Sequence, residues 1–108
     1  MIEVVICNND GMAEGAITAL NSAGYNTGND KKIPVFGVDA TDAAKELIKN
    51  NKMTGTIKQD AEGMAEAISL VTKNALEGKS LLDGTEKMHI DENVAKIRIP
   101  YSKYLGDE

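Results

Sequence analysis

The chain has 108 residues, 42% of them hydrophobic, and a formal net charge of −5. This is room for one small domain with a thin core margin, because short chains bury a lower fraction of their surface. The acidic balance excludes a basic nucleic-acid footprint, the single cysteine excludes an internal disulfide, and no stretch approaches the ~20 apolar residues of a membrane span.

The first expected strand covers residues 3–7, and its continuous β-branched run, Val4 to Ile6, is of the kind covered on both faces in parallel sheets. Met1 opens onto it with no basic region or cleavage site, so there is no signal-peptide pattern and the chain reads as truncated. Cys7 lies inside this strand and reads as a small core residue. A helix is expected over 11–22, with Asp10 as its cap, Ala13, Ala16, Ile17, Leu20 and Ala23 at helical spacing, and Gly24 as its stop. A polar loop, rich in turn residues, runs over 21–32. The second strand starts beside Pro34, where a missing donor costs least, and ends at Asp39. A second helix over 41–50 takes Thr41 or Asp39 as its cap and turns Ala44, Leu47 and Ile48 inward.

A third strand over 54–58 leads to a helix over 60–77, capped by Asp60 and ended by Gly78. Met64, Ala67, Ile68, Val71 and Ala75 form its expected buried stripe. The tail is polar over 80–92, then alternates over 94–99 as an edge strand that puts Ala95, Ile97 and Ile99 on one face and closes at Pro100. The order β-α-β-α-β-α-β implies right-handed crossovers and an α/β fold, a partial doubly wound parallel sheet. Three short parallel strands are too few to finish such a sheet, a second indication of truncation.

In open α/β sheets ligands bind beyond the carboxyl ends of the strands. Asn9, Asp39 and Gln59 each fall at such an end. Planar amide and carboxylate groups suit neutral sugars, since Asn and Gln both donate and accept while an ionised Asp accepts strongly. Helix capping is the competing role for all three. No catalytic arrangement emerges: no carboxylate pairs with the lone His89, which reads as a surface residue, and Cys and His lack metal-ligand spacing. Gly37 is a lone strand glycine that reads as a point of close packing. By these criteria the chain is not an enzyme.

The segments IEVVICNNDGMAEGAITAL, IPVFGVDATDAAKELI and GTIKQDAEGMAEAISLVTKNALEGK, with the closing VAKIRIPY, resemble in order the periplasmic galactose/glucose-binding proteins of ABC transporters. The resemblance is to the last third of such a protein, a two-lobed type I periplasmic binding fold. It implies that Asn9 and Asp39 hydrogen-bond hexose hydroxyls and that Gln59 stands where the family commonly has Asn. It also implies that Glu3 matches a glutamate completing a calcium site, in an intact parent only, because the other ligands would precede Met1. No other cofactor is implied.

The expected organisation is 1–58 as part of the sugar-binding lobe, 59–93 as a segment returning to the other lobe, and 94–108 as a closing strand and tail. The implied partners are a monosaccharide and a membrane permease, with no nucleic acid and no direct membrane insertion. The implied location of the parent is the periplasm or a lipid-anchored outer surface. The helix over 60–77 would lack its partner lobe, so the chain is expected to form a homo-oligomer. Two alternatives remain: the effector-binding domain of a LacI-type transcription regulator, and an independent oligomerising module from an internal start.

Overall fold

The computed structural model describes residues 1–91, 93–94 and 96–106. Its elements run β1 (Val5–Ile6), α1 (Asp10–Ser22), β2 (Val35–Val38), α2 (Asp42–Lys49), β3 (Gly55–Lys58), α3 (Ala61–Leu76), β4 (His89–Asp91), β5 (Lys96–Arg98) and β6 (Ser102–Tyr104). They group into two compact units, Met1–Gln59 with Ser102–Glu108, and Asp60–Tyr101.

The first unit is a sheet in the order β1-β2-β3-β6, with β1, β2 and β3 parallel and β6 antiparallel to β3. Strand alternation sends Val35 into a core with Ala13 and Ile17 of α1, Ala44 and Ile48 of α2, and Met53. Val5, Cys7, Leu20, Leu47 and Tyr104 pack around it, so Cys7 is the packing residue its strand position implies. The opposite face carries Ile6, Phe36, Val38, Ile57 and Leu105 around a shallow recess. Within this unit α1 and α2 pack on one face of the sheet.

A buried amide anchors the loop before β2. Asn26 is 3% exposed. Its Oδ1 accepts from the Ile33 N–H at 2.8 Å, and its Nδ2 donates to the Ile33 carbonyl at 2.8 Å and the Lys52 carbonyl at 3.3 Å. Its φ of 54° lies in the left-handed region that Asn tolerates better than most residues. One side chain therefore replaces the strand partner that Ile33 lacks.

In the second unit Asp60 caps α3 as expected, its Oδ1 accepting from the Gly63 N–H at 3.0 Å. Near the end of α3, buried Asn74 donates to the carbonyls of Leu81 and Asp83, at 3.1 and 2.8 Å, and fixes the turn that follows. Of the expected stripe on α3 only Ala67 is buried; Met64 and Ile68 are exposed. They line an open groove with Val71, Leu81, Leu82 and Ile97.

The tail departs from the expectation of one strand over 94–99. β4 and β5 form an antiparallel hairpin that pairs Ile90 with Ile97, and Ala95 lies outside the described residues. Asp91 Oδ2 accepts from Arg98 Nη2 at 2.7 Å and Nε at 3.1 Å, and the guanidinium holds the Asp91 carboxyl below the usual carboxylate range. Beyond Pro100 the chain rejoins the first sheet as β6, pairing Thr56 with Tyr104. That strand reads Ser-Lys-Tyr, too short and polar to show a period, and only Tyr104 among its side chains packs on the core.

Asn26→Ala should lower stability by about 3 kcal/mol, because it strands two buried backbone groups of Ile33. Urea unfolding will read this directly; a loss under about 0.5 kcal/mol would show that water replaces the amide.

Candidate functional site

Parallel order brings the carboxyl ends of β1, β2 and β3 side by side along one edge of the first sheet. Asn9 follows β1, Asp39 follows β2 and Gln59 follows β3, and all three are exposed. Asp39 and Gln59 meet: Gln59 Nε2 donates to Asp39 Oδ1 at 2.7 Å. Asn9 is bonded to neither, and its Oδ1 accepts from the Met12 N–H at 2.9 Å. It is the N-cap of α1, so the capping role holds for Asn9. Asp39 is not a cap, since Thr41 Oγ1 accepts from the Ala44 N–H and caps α2. Nor is Gln59, whose neighbour Asp60 caps α3.

Asp10 is placed differently from its expected capping role. It is the first residue of α1, one step past the cap, and is fully buried. Its Oδ1 accepts from Thr56 Oγ1 at 2.5 Å, and its Oδ2 accepts from the Thr41 N–H at 2.8 Å. The Asn-Asn-Asp string offers two adjacent cap candidates. The first takes the cap because its oxygen reaches the third residue on, which turns the second side chain inward.

Gly37 explains how the carboxylate fits. A Cβ on this residue would collide with Asp10 Oδ1 and stand 2.9 Å from Met53 Cε and 3.2 Å from Asp10 Cα. The glycine is thus a point of close packing, against a polar side chain as well as backbone.

The turn that carries Asp39 is conformationally unusual. Asp39 has φ 117° and Ala40 φ 53°, both in a region that non-glycine residues rarely occupy. Three successive N–H groups along it are held. That of Asp39 donates to the Ile57 carbonyl at 2.8 Å, that of Ala40 to Thr56 Oγ1 at 3.3 Å, and that of Thr41 to Asp10 Oδ2.

Among the described residues, the Asn9 amide nitrogen, the second Asp39 oxygen, and the Gln59 carbonyl with one amide hydrogen are left without a side-chain or backbone partner. Glu3 is exposed ahead of β1. Among the described residues no three carboxylate, His or Cys groups come together, so Glu3 alone does not make a Ca²⁺ cage of six to eight oxygens. His89 is exposed on β4, and no helix among the described residues is long and apolar enough to cross a membrane.

The family model described as periplasmic binding protein domain matches residues 1–80. The chain belongs to this family. It is similar to the D-galactose/methyl-galactoside binding periplasmic protein of Haemophilus influenzae, with 41% identity over 100 residues, 93% of this chain and 28% of that protein. It is 34% identical over 80 residues to the ribose import binding protein of Bacillus subtilis, covering 74% of this chain and 24% of the relative. The chain thus spans about a quarter of the length of these relatives. A crystal structure of an ABC transporter solute binding protein from Burkholderia multivorans superposes with a TM-score of 0.64 at 24% identity, over 94% of this chain and 31% of the other. The α/β architecture, with its mostly parallel sheet, matches part of a type I periplasmic binding protein fold.

Gly37→Ala should cost about 1–3 kcal/mol, since the added methyl meets a buried carboxylate that cannot retreat without leaving Thr41 or Thr56. Urea unfolding of the variant tests this, and unchanged stability would mean that the turn yields at little cost.

Proposed function

We propose that this chain forms one wall of a monosaccharide site in a solute-binding protein of an ABC transporter, and that it binds rather than transforms its ligand. The observation that carries the reading is the Asp39–Gln59 pair, set beside Asn9 with acceptor and donor capacity unspent. In this reading Asp39 accepts from two sugar hydroxyls, Asn9 donates to a third, and Gln59 both orients Asp39 and bonds the sugar itself. Family membership and relatives named for galactoside and ribose binding support a sugar as the ligand.

Galactose or glucose is the favoured hexose, because the galactoside-binding relative has the higher identity over more of the chain. Gln59 reaches one methylene further than Asn would, and so tunes the choice between sugars. The same relatives favour transport over transcriptional regulation, with a permease as the membrane partner and the periplasm or a lipid-anchored outer surface as the location. A Ca²⁺ site using Glu3 would need oxygen ligands from outside these residues.

Calorimetric titration of the protein as its gene encodes it, with D-galactose, D-glucose and D-ribose, tests the reading. Asp39→Ala should weaken binding by about 30- to 1,000-fold, equivalent to about 2–4 kcal/mol, by removing a charge-assisted acceptor and leaving sugar donors unpaired. Gln59→Asn should be milder and should shift the ratio between sugars. Affinity within twofold of wild type for Asp39→Ala would remove that residue from the site.

The reading extends to assembly of the 108-residue chain by itself. Met64 and Ile68 expose apolar surface on α3, and burial of such side chains is worth roughly 1.5–3 kcal/mol each. Sedimentation at micromolar concentration should show a homo-oligomer that the Met64→Lys, Ile68→Lys double variant weakens. A monodisperse monomer would overturn this part.

A further inference from the structure

We propose that Asp10 and Thr56 are the positioning residues of the sugar site: together they hold the Asp39–Ala40 turn in its strained form and so set where the Asp39 carboxylate stands. This rests on the reading of Asp39 as a sugar contact, but assigns roles to two residues that touch no ligand in that reading.

Asp39 and Ala40 both sit at positive φ without being glycine. Such conformations are costly for residues with a Cβ and persist only where the surroundings over-determine them. Thr56 Oγ1 accepts from the Ala40 N–H and donates its own proton to Asp10 Oδ1. The other Asp10 oxygen accepts from the Thr41 N–H. One hydroxyl and one carboxylate thus hold two consecutive amides immediately after Asp39.

The two side chains also fix each other. The Thr56 proton is committed to Asp10, so its lone pairs face Ala40, and Thr56 is 2% exposed and Asp10 0%, which leaves no room for competing water. The chain gives up a side chain at Gly37 to admit the carboxylate. Capping needs none of this, since Asn9 already caps α1. A buried carboxylate is costly unless fully hydrogen-bonded, and what Asp10 holds with its bonds is the backbone next to the ligand-facing Asp39. Asp39 in turn keeps one oxygen on Gln59, so a shift of the turn would break that pair as well.

The test separates hydroxyl from bulk. Thr56→Val keeps the shape and removes the hydroxyl, whereas Thr56→Ser keeps the hydroxyl and removes a methyl. In the protein as its gene encodes it, titrated with D-galactose and D-ribose, Thr56→Val should bind the preferred sugar at least tenfold more weakly. Thr56→Ser should stay within threefold of wild type even where its thermal midpoint falls further. A role confined to stability would make affinity follow the midpoint instead. Thr56→Val combined with Asp39→Ala should lose no more affinity than Asp39→Ala alone, because Thr56 acts through Asp39; losses that add in full would overturn the proposal.

Amide hydrogen exchange reads the same contact without sugar. The Ala40 and Thr41 N–H groups should exchange at least tenfold faster in Thr56→Val, and unchanged exchange would overturn the proposal whatever the ligand. If Asp39→Ala leaves affinity intact while exchange responds as expected, the sugar-contact reading fails and the structural linkage stands, without its role in binding. If Asp39→Ala weakens binding and Thr56→Val does not, the reading survives and the positioning role is wrong.

Discussion

Asp10 has no exposed surface, yet its two carboxylate oxygens accept from a hydroxyl on β3 and a backbone amide at the start of α2. Through these two bonds the first helix, the β2–α2 turn and the third strand are tied at the same edge of the sheet. A carboxylate out of water is tolerated only when its lone pairs are occupied, so the groups around it are bound to fixed positions. Gly37 is small because the carboxylate occupies the volume of its side chain. The positive φ values at Asp39 and Ala40 are held by the same bonds.

The exposed row above this network inherits its geometry. Asp39 and Gln59 come from neighbouring strands, and their 2.7 Å contact depends on the register that pairs Val38 with Ile57. Asn9 is fixed by its capping bond to Met12, which turns the amide oxygen toward the helix and leaves the nitrogen as a donor. Structural duty and free hydrogen-bonding capacity are divided between different atoms of one side chain. This division is how a residue serves as a helix cap while remaining available to a ligand.

The two units differ in how much of their apolar surface is covered. In the first, α1 and α2 bury one sheet face, while Ile6 stays 78% exposed on the other. In the second, Asn74 holds α3 to the turn after it, while Ile68 is 61% and Leu76 84% exposed.

Much of the first unit was legible in the sequence, because its signals are local. β-branched runs, helical spacing of Ala13, Ile17, Ala44 and Ile48, and Gly24 as a stop each depend on a few neighbouring residues. The positions of Asn9, Asp39 and Gln59 followed from the strand ends alone. Other features needed the fold. Asp10 and Thr56 lie 46 residues apart, and no local pattern marks one as buried and the other as its donor. β6 is too short and polar to show a period, and becomes a strand only because the open edge of β3 offers it partners. The stripe on α3 shows the converse, since helical spacing selects the apolar face but cannot supply what covers it. Periodicity is a property of adjacent residues, whereas burial and hydrogen-bond pairing arise only when distant segments meet.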